Sequence, residues 1–171
     1  NYFALAMPTP IDALTARAQA EVIREGVAGT ADSALPILAA TAAHTAGGRG
    51  GPEHFLHIPP GAVQRRHIAG LVPYQNAVWA LRITGADLRR RLEKAAEVYT
   101  QLISGTGPLL DPCRPPFHCD TIYGVTYAID PQRPRGARIT ALSWQGVPVE
   151  PDQQFLLATN QFRAAGGGGF D

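Results

Sequence analysis

Lysine is almost missing from this 171-residue chain: one residue, Lys94, against fourteen arginines. Net charge is only +1 and charged residues make up 17% of the chain. That balance lacks the basic footprint of a nucleic-acid binder. No apolar run approaches the roughly 18 residues of a membrane span. No CxxC pair, HExxH helix or GxSxG elbow occurs, so the usual signatures of metal and nucleophilic sites are absent. Asn1 rather than Met opens the chain, and no signal-peptide pattern follows. The chain is read as a fragment of a larger protein, with any targeting signal outside it.

Two cysteines are present, Cys113 and Cys119, in the Pro-rich stretch DPCRPPFHCD. Their proximity allows a disulfide in an oxidising compartment, with two unpaired thiols as the alternative. Among the five histidines, His54 and His57 stand three apart in HFLH. Pro52, Pro59 and Pro60 argue against the helix that would make that spacing a metal site, and surface-loop histidines are the simpler reading. A self-sufficient metal hydrolase using His54, His57 and His118 is the weakest of three functional readings.

What is there is a mixture of helical and strand periodicity. Residues 10–27 read as an amphipathic helix with Leu14, Ala18, Val22 and Ile23 on its stripe. Residues 34–43 read as a buried strand, and a short helix or turn falls near 63–70. Residues 78–84 alternate as a strand with Trp79, Leu81 and Ile83 on its apolar face. A long helix follows from Ala86 to Ile103, with Asp87 near its N-terminus. Strands are expected at 121–129, 139–144 and 154–159, the last two joined by a turn. The order predicts an α+β domain, a mixed sheet covered by helices.

Glycine supplies the remaining signals. GGRGG carries Arg49, and NQFRAAGGGGF ends in Gly166 to Gly169. Neither stretch matches a phosphate-loop or dinucleotide fingerprint. Arg49 could fork onto an anion or be solvated on its loop. Tyr74 and Phe162 each sit where a strand meets a loop. Facing one another they could sandwich a planar ring, with core or rim packing as the alternative.

Three stretches taken in order, LPILAATAAHTAGGR, LVPYQNAVWALRITGADLRRRLE and FLLATNQFRAAGGGGF, resemble the C-terminal domain of bacterial periplasmic nucleotidases. The resemblance covers about Ala13 to Phe170. It extends to the 5'-nucleotidase/UDP-sugar hydrolase group and to its sister, the 2',3'-cyclic-nucleotide 2'-phosphodiesterase/3'-nucleotidases. It implies a periplasmic enzyme of two domains. In it, an N-terminal metallophosphoesterase domain, absent here, holds two divalent metal ions and the catalytic His–Asp pair. This 171-residue domain would hold no metal and no catalytic residue, bind nucleosides and nucleotides weakly, and hydrolyse nothing alone. It would engage neither nucleic acid nor membrane.

The resemblance places the aromatic sandwich on Tyr74 and Phe162 and a base-contacting asparagine on Asn76. It puts a substrate-contacting arginine at Arg49, and the pocket wall on Asn160 with the backbone of Gly166 and Gly167. Gly168 stands where the 5'-nucleotidase branch has an aspartate, and NQFRAAGG with Arg163 is closer to the cyclic-phosphodiesterase branch. Ala43, His44 and Thr45 depart from the Pro-Phe-Lys common in that branch, so a phosphate contact from lysine is lost. The cyclic 2',3'- and 3'-nucleotide branch is favoured. The 5'-nucleotidase/UDP-sugar hydrolase branch and a non-catalytic nucleoside- or partner-binding module are the alternatives.

Overall fold

The computed structural model describes residues 3–47, 50–103 and 105–170. Helix α1 is Pro10–Gly26. Thr9 caps it, accepting from the Asp12 amide at 3.3 Å, and Pro10 occupies the first turn, where its missing N–H costs nothing. Of the stripe expected on this helix, only Ile23 is buried. Leu14 and Val22 are exposed, and Asp12, Ala16 and Ile23 face inward. Ala16 packs with Ala39 and Ala158 of the sheet. These small side chains let the helix lie close, which a Leu14–Val22 face would prevent.

Strand β1 is Ile37–Ala42, shorter than expected because Ala31–Ala34 form a 3-10 turn capped by Thr30. Helix α2, Arg65–Leu71, lies near the expected short helix. Strand β2, Val78–Thr84, runs directly into helix α3, Gly85–Ala95. Thr84 and Asp87 form a reciprocal capping box there, Thr84 N donating to Asp87 at 2.9 Å and Asp87 N to Thr84 Oγ1 at 3.2 Å.

The long helix stops well short of Ile103. Ala96–Val98 tighten into a 3-10 turn, and Tyr99 is extended. The cause lies far away in sequence. The fully buried Arg138 donates from Nη1 to the carbonyls of Ala96 and Tyr99, each at 2.8 Å. These bonds satisfy carbonyls that a helix end leaves open, and so compensate for stopping it there.

The expected strand 121–129 is two strands, β3 (Asp120–Tyr123) and β4 (Thr126–Ile129), in different sheets. Gly124 divides them at φ +99°, and a Cβ there would lie 2.8 Å from Leu38 Cδ2. Strand β5 is Ile139–Trp144 and strand β6 is Val147–Pro148. Gln145 and Gly146, at φ 50° and 82°, make the two-residue hairpin between them. Strand β7 is Gln154–Asn160, followed by the single-turn helix α4, Gln161–Ala164.

The larger sheet has the order β2-β7-β1-β3, and the smaller one β4-β5-β6. β1 and β7 are parallel, and the other pairings in the larger sheet are antiparallel. Side chains of the central strands alternate between two clusters. Leu156 and Ala158 join Ala39 under α1. Phe155 and Leu157 join Leu38, Ala40, Leu88 and Leu92 of α3 with Ile139 and Leu142 of β5. The domain is α+β, as expected. One sheet face is covered by a helix, and the other by α3 together with the second sheet. Each fully buried Leu or Phe of this layer contributes about 1.5–3 kcal/mol relative to exposure.

Cys113 is exposed, Cys119 is buried, and neither forms a disulfide. The Cys119 thiol lies 3.7 Å from the Tyr99 hydroxyl, and burial pushes its pKa up to about 11. The second cysteine is therefore a core residue, not one end of a loop clasp.

Candidate functional site

Strand register gathers the candidate residues at one end of the larger sheet. Val78 opposes Asn160, so β2 begins where β7 ends. β1 runs parallel to β7 and leads at that end into Ala43 and His44, while Ala42 opposes Asp120 at the start of β3. The ends of two parallel strands are where open sheets with parallel strands commonly build ligand sites.

Tyr74 lies in the segment leading into β2. Asn76 N donates to Tyr74 O at 3.0 Å, which turns the chain tightly. Tyr74 is 62% exposed. One side of it meets the His44 ring edge-on, with centroids 5.6 Å apart. Asn160 caps α4 by accepting from Arg163 N at 2.8 Å. Phe162 follows at 51% exposure. Ala77 O accepts from Gln161 N at 2.8 Å, tying the Tyr74–Asn76 segment to the Asn160–Phe162 segment.

The glycine run is a turn packed on its neighbours. Gly166, Gly168 and Gly169 have φ of +83°, +77° and +75°, the left-handed region that favours glycine. Gly167 N donates to Phe162 O at 2.9 Å. A Cβ at Gly167 would lie 2.5 Å from Phe162 O and 2.6 Å from two ring carbons. The backbone at Gly167 thus packs directly against Phe162, which leaves no room for a side chain.

Arg163 organises this turn from beneath and is almost fully buried. Its Nη2 donates to Asp120 at 2.9 Å and to Phe117 O at 2.6 Å, and its Nη1 donates to Gly167 O. Its guanidinium carbon stands 4.0 Å from the centroid of the Phe170 ring. A Cβ on Gly168 would come within 2.3 Å of Arg163 Nη1. Burial raises the Asp120 pKa to about 6, against the pull of Arg163. Sequence reasoning assigned Asp120 no role, because nothing near it in sequence reveals an arginine 43 residues away.

Tyr74, Asn76 and Asn160 line a cavity of about 260 Å³ that reaches under Tyr74 to α1, with His44 and Thr41 of the β1 end in its wall. Phe162, Gly166 and Gly167 lie beyond it, on the α4 side. Arg49 lies outside the described residues. A larger cavity of about 550 Å³ sits between residues 4–8 and β3–β4, and no described candidate residue lines it. His67 is buried and caps α2, its Nδ1 accepting from Gln64 N at 3.1 Å. Among the described residues, no three His, Cys, Asp or Glu side chains form a group able to hold a metal ion.

Residues 7–171 match the family model of the 5'-nucleotidase C-terminal domain. The chain is 32% identical over 185 residues to the trifunctional nucleotide phosphoesterase YfkN of Bacillus subtilis, covering 99% of this chain and 13% of that protein. It is 32% identical over 186 residues to the 2',3'-cyclic-nucleotide 2'-phosphodiesterase/3'-nucleotidase of Salmonella typhimurium, covering 98% of this chain and 29% of that one. The chain thus spans less than a third of the length of either relative. A solved structure presented as a Staphylococcus aureus 5'-nucleotidase shares the fold, with TM-score 0.69 and 24% identity over 98% of this chain and 30% of its own. The chain belongs to the 5'-nucleotidase C-terminal domain family.

Proposed function

We propose that the chain is the substrate-recognition domain of a larger, periplasmic nucleotide hydrolase, and that Tyr74 and Phe162 clamp the base. The observation that carries this reading is the pair of half-exposed aromatic rings on adjoining segments at one sheet end, each held by its own backbone turn. A ring exposed to this degree loses little by accepting a ligand face, and stacking a base is worth roughly 1–3 kcal/mol. Asn76 and Asn160 offer polar groups beside the stack. Arg49 serves the phosphate end, and the backbone of Gly166 and Gly167 keeps the α4 side of the pocket free of side chains.

In this reading the phosphoester would be cleaved by a separate N-terminal metallophosphoesterase domain, to which two divalent ions would lend Lewis-acid chemistry. This domain contributes positioning. The favoured substrates are 2',3'-cyclic and 3'-nucleotides. Support comes from three curated relatives that carry that activity in their names, each 30–32% identical over nearly the whole chain.

Calorimetric titration of the chain with adenosine and 3'-AMP, beside Tyr74→Ala and Phe162→Ala, tests the clamp. Binding lost in both variants, with no turnover of 2',3'-cyclic AMP in the presence of added metal, is the expected result. Binding indifferent to both substitutions sinks the reading.

A further inference from the structure

One ring of the proposed clamp stands on a part of the fold that cannot hold its own shape. Phe162 is 51% exposed and belongs to α4, a helix of four residues. A single turn is too short to be stable by itself. The turn after it has Gly166, Gly168 and Gly169 in the left-handed region, and glycine has the most conformational freedom to lose. Neither piece fixes where the ring points, so its direction has to come from contacts with the rest of the domain.

Those contacts run through Arg163. Gly167 N donates to Phe162 O at 2.9 Å. A Cβ on Gly167 would stand 2.6 Å from both Cδ1 and Cε1 of the ring, so the Gly167 backbone closes one side of Phe162. Gly167 O in turn accepts from Arg163 Nη1. The same guanidinium is anchored by the Asp120 carboxylate of β3 at 2.9 Å and by Phe117 O at 2.6 Å, in the 3-10 turn Pro116–His118.

We infer that the buried Asp120–Arg163 pair is a positioning device for nucleoside binding, acting through Gly167 to set the direction of the Phe162 ring. The inference rests on the clamp proposed above and adds the residues that hold one of its two rings.

Arg163 is 2% exposed and Asp120 6%, so neither is placed to touch a ligand. A buried ion pair is a poor device for stability alone, because desolvating both charges offsets most of their attraction. It is a good device for holding one geometry, since the planar arginine fork accepts few arrangements. A second guanidinium, Arg91 of α3, is also buried, and its charge acts on both members of the pair. Asp120 attracts both arginines. Removing its charge leaves Arg163 with the repulsion of Arg91 and weakens its hold on Gly167.

Adenosine titrations of Arg163→Gln and of the milder Asp120→Asn test this. They are made at a temperature where each variant is fully folded by circular dichroism, so lost stability alone leaves affinity unchanged. Arg163→Gln should weaken adenosine binding about five- to tenfold, and Asp120→Asn about threefold. Double-mutant cycles then show whether the loss passes through the ring. In a Phe162→Leu background both substitutions should change affinity less than about twofold, and in a Tyr74→Leu background the full loss should return. Equal losses in the two backgrounds overturn the inference. Should Arg163→Gln not fold, the Asp120→Asn cycle decides, together with the Phe162 ring resonances of the ligand-free variant. Those resonances should move from their wild-type positions, and unmoved resonances with unchanged affinity overturn the inference. Phe162→Leu damaging while Arg163→Gln and Asp120→Asn bind as wild type overturns the inference and leaves the clamp standing. Phe162→Leu binding as wild type overturns both.

Discussion

Arg163 reaches from the first turn of α4 to the buried carboxylate of Asp120, 2.9 Å away, at the start of β3. With its bonds to Phe117 O and Gly167 O, this one guanidinium joins the glycine turn to the far edge of the sheet. Arg163→Ala is expected to destabilise the domain by about 3–5 kcal/mol, since it strands a buried carboxylate. Denaturant unfolding measures this, and a loss below 1 kcal/mol would contradict the structural role. Asp120→Asn keeps an acceptor for Arg163 and should cost less.

Gly167 and Phe162 cannot both keep their places if the glycine gains a side chain. Gly167→Ala puts a methyl 2.5 Å from Phe162 O. Overpacking of this kind typically costs 1–3 kcal/mol, and it should also displace the Phe162 ring. Thermal melts and nucleoside titration check the two effects. Gly136→Ala is the control for a left-handed glycine with open space around it, and it should cost backbone strain without touching nucleoside affinity.

His44 gives a pH dependence with a definite sign. Its folded pKa is depressed, chiefly by burial and then by Arg163, so below about pH 6.5 the unfolded chain binds more protons than the folded one. Its contribution is complete above that pH and is lost as pH falls. Wild type should therefore lose stability relative to His44→Gln as the pH falls below about 6.5. Parallel stability curves for the two proteins would refute this.

The Thr84–Asp87 capping box starts α3 with no intervening loop. Thr84→Ala should cost about 1 kcal/mol, read as a lower denaturant midpoint with unchanged slope. Replacement by serine should restore most of it, because the hydroxyl does the capping.

Local chemistry was readable in the sequence, and distant chemistry was not. Thr84-x-x-Asp87 and Thr9-Pro10 mark helix starts within four residues, β2 follows from alternation, and β7 is a short apolar run buried on both faces. The early end of α3 was hidden because Arg138 is 42 and 39 positions from the Ala96 and Tyr99 carbonyls that it holds. The split at Gly124 was hidden because only the packed Leu38 shows why a side chain is refused there. At the candidate site, Tyr74 and Phe162 stood out as aromatics at strand ends. Thr41, in the wall of the cavity beside Tyr74, did not, since a threonine in a strand carries no mark until α1 is packed across it.

The strand that joins β1 to β2 in the larger sheet, β7, is the last of that sheet's four strands to be synthesised. Until residues 154–160 leave the ribosome, β1 and β2 have no common partner to pair with. The sheet therefore closes after translation has passed this strand, and nascent chains halted before it should stay open to proteases.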